Sequence, residues 1–307
     1  MRKVIITGAT GMLGIALIEL LLQQRYQILA IINPESKRRE GIPKHKNLLV
    51  LPCDLGEMTK VSEIANDTYD IFYHFAWCGT YGDTRNDMNM QINNVKYTLD
   101  AVELAYRLGC KVFLGTGSQA EYGRVGSNIK LGPETPVFPE NGYGIAKLCA
   151  GQMSRIKCQE YGIKHIWARI LSTYGPGDGT HTMVMSGIIK FLNGYKPNYT
   201  KGEQLWDYLY CKDAARAFQA AAEKGKDGSV YCIGSGQVRP LREYIEIIRN
   251  ISDPDAEIGF GEIPYFDKQV MYLCADITNL TNDTGFVPQY SFEQGIRETV
   301  EWYKGVQ

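Results

Sequence analysis

The chain has 307 residues, 44% hydrophobic and 22% charged, with a formal net charge of −1. That length suits one large or two modest domains with a sizeable core, and the near-neutral charge gives no electrostatic footprint for nucleic acid or a membrane surface, which leaves a small molecule as the expected ligand. Eight cysteines lie scattered without a C-x-x-C pair or a metal-binding Cys/His spacing, so they read as reduced, mostly buried thiols, and no metal is expected.

The opening MRKVIITG carries an apolar run of three before Thr-Gly, too short for a signal peptide or a membrane span, and points to a cytoplasmic protein. Strands are predicted over 3–7, 27–32, 47–53, 70–76, 111–116 and 164–171, and helices over 12–24, 57–66, 91–109 and 143–161. Strands apolar on both faces that alternate with helices make a doubly wound, Rossmann-like parallel sheet of the α/β class. From about residue 173 the pattern loosens. Helices are predicted over 183–193, 212–224, 240–251 and 291–304, with shorter strands between them. The expected division is a dinucleotide-binding domain over 1–172 and a smaller α+β substrate-binding domain over 173–307, with some segments crossing between the two.

The first strand runs into TGATGMLG, which sets Gly8, Gly11 and Gly14 three apart at a strand-to-helix turn. One glycine permits the tight turn, one lets backbone approach a pyrophosphate, and one packs helix on strand, with the helix N-terminus facing the anion. The spacing is G-x-x-G-x-x-G rather than G-x-G-x-x-G; its place at the first strand of a strand-helix alternation makes it a cofactor site rather than an ordinary turn. Where an NAD site offers an acid to the ribose, this chain has Asn33, followed by Lys37, Arg38 and Arg39. An acid would repel a 2′-phosphate and the basic trio can hold one, so NADP(H) is favoured, with NAD(H) the alternative. A plain solvated basic loop is the competing account, and Glu35 speaks against phosphate. Asp54 and Leu55, after the third strand, stand where an adenine edge is met. His74 reads as a core histidine.

NGYGIAK puts Tyr143 and Lys147 four apart, on one face of a helix after the fifth strand. An ammonium beside a phenol favours the phenolate and brings tyrosine toward the working range of an acid-base group. The same spacing recurs at Tyr208 and Lys212, but there an aromatic alternation predicts a half-buried strand whose two side chains do not meet one ligand. Tyr143 instead lies on the carboxyl-end rim of the sheet, where open α/β folds bind ligands, with Thr116 and Ser118 on the same rim.

TGATGMLG, Asp54-Leu55, HFAW, Asn94-Val95, GTGSQAEYG and Tyr143-x-x-x-Lys147, in this order, resemble the extended short-chain dehydrogenase/reductases that act on nucleotide-activated sugars. The resemblance spans essentially the whole chain. It implies Tyr143 as general acid-base, Lys147 as the residue that binds the nicotinamide ribose and lowers the tyrosine pKa, and Ser118 as the group that positions the reacting oxygen. It extends the cofactor contacts to Thr10, Met12, Leu13, Phe75, Ala76, Trp77, Asn94 and Thr116. YGPGDG, GEQLWDYLYCKDAARAF, YCIGSG and FVPQYSFEQGIRETVEWY are similar to the epimerase and 4-ketoreductase branch, with abequose-synthase-like and 6-deoxytalose-forming reductases nearest.

Three departures stand out. The family's diphosphate-clamping arginines are replaced by Trp206 and Phe266, which leaves Lys201, Arg239 or Lys268 as substitutes or a sugar carrier different from the usual one, and Ser172 stands where an asparagine contacts phosphate. Where 4,6-dehydratases carry Thr-Asp-Glu, this chain has Ser118, Gln119 and Ala120, without an acid for eliminating water; Glu121 is one step out of register and strand alternation turns it away. Gln119, Ser172 and Trp206 are therefore the expected substrate contacts. The expected activity is reduction at C4 of a nucleotide-linked 4-keto-6-deoxyhexose by a homodimer, with a 4-epimerase using the same residues as the alternative. A reductase of steroid-like or flavonoid-like carbonyls and a non-catalytic NADP-sensing protein are more distant ones.

Overall fold

The structure, a computed structural model, describes residues 2–65, 67–126 and 128–306. The leading strands are β1 (Lys3–Thr7), β2 (Gln27–Ile32), β3 (Leu48–Pro52), β4 (Ile71–His74), β5 (Val112–Ser118) and β6 (Lys164–Ile170), each within about two residues of its predicted bounds. With the strand Ser229–Ile233 they form a seven-stranded parallel sheet, in the order Ser229–Ile233, β6, β5, β4, β1, β2, β3. Both faces of the central strands are buried, because their alternate residues feed two separate cores, while the edge strand β3 leaves Leu49 and Val50 exposed. Val4, Ile6, Ile28, Ala30 and Ile32 pack under α1 (Met12–Gln23) and α6 (Cys211–Lys224). Ile5, Leu29, Ile31, Phe72 and Phe113 pack under α3 (Met88–Arg107), through Ala101, Val102, Leu104 and Ala105.

The helix predicted over 57–66 is mostly absent. A 3-10 turn occupies Leu55–Lys60, and only the four-residue α2 (Val61–Ile64) follows. Asp54 explains the tight start, since its carboxylate accepts the Gly56 N–H at 2.8 Å and winds the chain before an α-helical turn can close. α4 (Gly142–Glu160) lies beside α3 on the same side of the sheet.

The second half returns to the first sheet. The strand Ser229–Ile233 pairs in parallel with β6, and α6 lies on α1, so residues 211–233 build the dinucleotide half rather than a separate unit. The remaining short strands pair in small sheets around α5 (Met183–Leu192), α7 (Leu241–Ser252), α8 (Thr278–Thr284) and α9 (Phe292–Gly305). Asp207 ties them together: fully buried, it accepts from the Ser235 N–H at 2.7 Å, the Ser235 hydroxyl at 2.6 Å, and the N–H groups of Gly236 and Ala275, each at 3.0 Å. Among the described residues, no helix is long and apolar enough to cross a membrane.

Candidate active site

The turn between β1 and α1 is built by close approach. A Cβ on Gly8, whose φ is +68°, would stand 2.7 Å from the Ala76 nitrogen, and one on Gly14 would stand 2.5 Å from the Gly8 carbonyl oxygen. A Cβ on Gly11 would meet only that carbonyl, at 3.4 Å, so packing within the chain does not account for glycine there, whereas a bound group would. Among the described residues, no side chain caps α1 and no acid stands in its first turn. The N–H groups around Met12 and Leu13 are thus left to an anion. The turn fits a dinucleotide diphosphate.

The basic loop after β2 folds back onto this turn, with the Ser36 hydroxyl 3.0 Å from that of Thr10. Arg38 joins Thr10, Met12 and the 176–181 loop around a cavity of about 570 Å³. Lys37 does not line that cavity. The Asn33 side chain is spent within its own turn, accepting the Glu35 N–H at 2.8 Å. Leu55 packs into the core beneath α3, and Phe75 against Phe218 at 4.9 Å. Asn94 clamps the loop after β4 by bonding the N–H and carbonyl of Cys78, at 3.0 and 2.8 Å. His74 is the core histidine expected: it bonds Thr7 and Thr98, and burial pushes its pKa down to about 3.

Asn141 caps α4 through the Gly144 N–H at 2.9 Å, and a Cβ on Gly144 would run into the Ala120 carbonyl oxygen. That close approach brings the start of α4 against the end of β5. The Ser118 hydroxyl, which accepts the Ala120 N–H at 3.1 Å, lines the same cleft as the Tyr143 phenol and favours its ionised form, yet burial, the larger effect, raises the phenol above its ordinary value. Lys147, 3% exposed, donates to the Thr116 carbonyl at 2.7 Å and sits 3.8 Å over the Trp77 ring and 5.8 Å from the centre of the Tyr143 ring. Burial pushes its pKa down to about 7, with the Glu121 carboxylate acting in the opposite direction. A second cation beside the phenol is Arg85, its guanidinium 4.7 Å from the ring centre, and it favours the ionised form. Nothing local in TYGDTRND distinguishes Arg85 from a solvated loop residue.

Thr116 reaches the site through its carbonyl; its hydroxyl bonds the His74 carbonyl at 3.1 Å. Glu121 is turned inward, as expected, though a 3-10 turn over Gln119–Glu121 does this rather than strand alternation. Fully buried, it accepts from the Ser118 N–H at 2.8 Å, the Trp167 indole at 3.1 Å and Arg169 at 2.7 Å.

Tyr143 and Ser118 open on a second cleft of about 570 Å³, lined also by Arg85, Gln119, Arg124 and Trp206. The Gln119 side-chain oxygen is buried there without a partner. Two of the departures noted above answer one another: the Trp206 indole N–H donates to the Ser172 hydroxyl at 2.8 Å. Arg239 pairs with Glu293 and lines a different cavity, so it is not part of this cleft; Lys201 and Lys268 do not line it either. The second Tyr-x-x-x-Lys falls apart as expected. Tyr208 packs edge-on to Tyr244 at 5.1 Å, while Lys212 pairs with Glu298 at 2.6 Å.

The model of the NAD dependent epimerase/dehydratase family matches residues 4–234. The dTDP-glucose 4,6-dehydratase of Escherichia coli is 31% identical over 187 residues, covering 57% of this chain and 51% of its own. The trifunctional UDP-glucose 4,6-dehydratase/UDP-4-keto-6-deoxy-D-glucose 3,5-epimerase/UDP-4-keto-L-rhamnose-reductase of Arabidopsis thaliana is 26% identical over 98% of this chain and 47% of its own. The chain thus spans about half the length of the curated relatives it matches. The UDP-N-acetylglucosamine 4-epimerase from Methanobrevibacter ruminantium M1, solved in complex with UDP-N-acetylmuramic acid, has the same fold, with a TM-score of 0.89 at 23% identity over 100% of this chain and 99% of its own. With three quarters of its length matched and a glycine turn shaped for a dinucleotide, the chain belongs to the NAD dependent epimerase/dehydratase family.

Proposed function

We propose that the protein reduces C4 of a nucleotide-linked 4-keto-6-deoxyhexose with NADPH, Tyr143 giving its proton to the C4 oxygen. The observation that carries this is that Ser118 and Tyr143 both line the cleft while Glu121 is locked behind it. Elimination of water needs a carboxyl group beside the sugar. The acid that does line the cleft, Glu140, is paired with Arg124 at 2.7 Å.

The Gly8–Leu13 turn, with Arg38 for a 2′-phosphate, would hold the dinucleotide, whose nicotinamide supplies the reducing equivalents when bound. The chain's own residues handle the substrate oxygen and the proton. Ser118 hydrogen-bonds the oxygen being reduced, and the phenol of Tyr143 protonates it. Lys147, held by Thr116 and Trp77, keeps a charge close to the phenolate that remains. The unpaired oxygen of Gln119 accepts from a sugar hydroxyl. Trp206 presents a flat apolar wall in place of a cation.

The working unit is a homodimer. Ile92 on α3 and Ile145, Met153 and Ile156 on α4 are 65%, 53%, 45% and 51% exposed, at helical spacing on two helices that pack together. The test mixes the protein with UDP- or dTDP-4-keto-6-deoxyglucose and NADPH and follows absorbance at 340 nm. Stoichiometric loss of NADPH is expected, and Tyr143→Phe should lower turnover by about 100-fold or more. A protein that retains NAD+ through purification and interconverts C4 epimers of a UDP-hexose with no added cofactor is an epimerase instead.

A further inference from the structure

Arg85 lies in a 3-10 turn, Gly82–Asn86, that is fastened to the start of α4. The Asn86 side-chain oxygen accepts the Gly142 N–H at 3.0 Å, one residue before Tyr143. Asp87, next in the chain, caps α3 through the Met90 N–H at 3.0 Å. The backbone carrying Arg85 is therefore pinned to both helices, and its guanidinium sits 4.7 Å from the centre of the Tyr143 ring, inside the cleft that holds Ser118 and Gln119. Among the described residues, no carboxylate forms an ion pair with it. The acids around the cleft are engaged elsewhere, Glu140 with Arg124 and Glu121 with Arg169.

We propose that Arg85 is a positioning residue of the proton-transfer step: seated over Tyr143, its charge stabilises the phenolate left when the proton passes to the substrate oxygen. The inference rests on the reading of Tyr143 as the acid. In the step, the C4 oxygen, taking the C=O π pair as C4 is reduced by the hydride a bound NADPH would supply, accepts the phenolic proton: the Tyr143 O–H bond breaks, an O–H bond forms on the substrate, and the phenolate takes its proton back from solvent.

The charged and titratable groups facing Tyr143 from each element are few. Ser118, from β5, favours the phenolate; Glu121, behind β5, disfavours it; Lys147, from α4, is 5.8 Å from the ring centre and engaged by the Thr116 carbonyl and the Trp77 ring. The Arg124–Glu140 pair is neutral as a unit and lies along the rim. Burial raises the phenol, and the groups that pull it back are the Ser118 hydroxyl and then Arg85, a cation 4.7 Å from the ring centre that has no ion-pair partner among the described residues.

Arg85→Gln and Arg85→Lys are compared with the parent, with Tyr143→Phe as reference. The free proteins, labelled with 13Cζ-tyrosine, are titrated by NMR, the Tyr143 resonance being the one missing in Tyr143→Phe. The pH profile of kcat/KM is recorded with UDP- or dTDP-4-keto-6-deoxyglucose and NADPH. Arg85→Gln should move both the Tyr143 titration and the alkaline limb of the profile upward by about one pH unit, lower the plateau about tenfold and leave KM within about threefold. Arg85→Lys should restore most of each. An unmoved resonance with KM raised tenfold would mean that Arg85 grips an anionic group of the substrate, and the proposal fails. No change in either readout would make Arg85 a solvated cation, and it fails equally. If Tyr143→Phe keeps its activity, the reading of Tyr143 as the acid is what has failed, while the NMR titration still reports separately whether Arg85 acts on the phenol.

Discussion

Glu121→Gln removes one charge from a carboxylate with no solvent contact and leaves Arg169, 3% exposed, as a buried cation without a counter-ion. The amide oxygen of glutamine can still accept from the Ser118 N–H or the Trp167 indole, so most of the loss is the ion pair itself. Breaking one side of such a buried pair costs about 3–5 kcal/mol, with no discount for solvent screening at this depth. Arg169→Met should cost a similar amount by stranding the carboxylate. The double variant, which strands neither charge, should recover much of the loss, a coupling that a double-mutant cycle isolates. Urea unfolding followed by tryptophan fluorescence provides the three differences. Molecules of Glu121→Gln that remain folded should still turn over, unlike Tyr143→Phe, because the carboxylate faces the core and not the cleft. A cost below about 1 kcal/mol, the value for an exposed pair, would refute the reasoning, as would full loss of turnover in folded protein.

Arg38→Ala should weaken NADPH by about tenfold or more while leaving NADH nearly unchanged, measured by fluorescence titration of both cofactors, since charged hydrogen bonds contribute roughly 1.5–3 kcal/mol; Lys37→Ala, outside the cavity, should do little. In the cofactor-free protein Lys147 releases its proton near pH 7, whereas the unfolded chain keeps it to about 10.5, so unfolding takes up a proton between these values and stability climbs with pH. Lys147→Met should therefore gain on the parent at pH 7 and lose that advantage toward pH 10, and a gap that stays constant across urea melts at several pH values would count against it. Light scattering should give the parent twice the monomer mass of 34.5 kDa, and Ile145→Asp with Ile156→Asp should bring it down to the monomer value.

The parallel sheet was legible because β-branched and aliphatic runs such as KVIIT and QILAII are apolar on both faces, which few other structures require. Tyr143 was legible once its place on the rim separated it from Tyr208. What stayed hidden depends on contacts between distant positions. The Trp206–Ser172 bond joins residues 34 apart, and the Asn86–Gly142 bond that seats Arg85 joins residues 56 apart. Neither leaves a periodic or compositional trace. The helix expected over 57–66 failed for a local reason: an Asp-x-Gly start competes with the backbone for the first N–H groups, and its effect is visible only when the turn is seen.

The place of Ser229–Ile233 at the edge of the sheet has a bearing on how the chain comes to be folded. β6 stays an open edge, with unpaired backbone groups along it, until a segment more than sixty positions downstream arrives to cover it. α1 likewise waits for α6, and the paired amides of Gln24 and Gln219 are 195 positions apart. A nascent chain that has emerged only through β6 thus exposes both a bare strand and the apolar flank of α1, and the dinucleotide half cannot close during synthesis of its own residues. Cutting the chain near residue 172 should yield an aggregating fragment rather than a small cofactor-binding protein, and an engineered fusion or split of this chain would be better placed after Ile233 than between the two apparent halves.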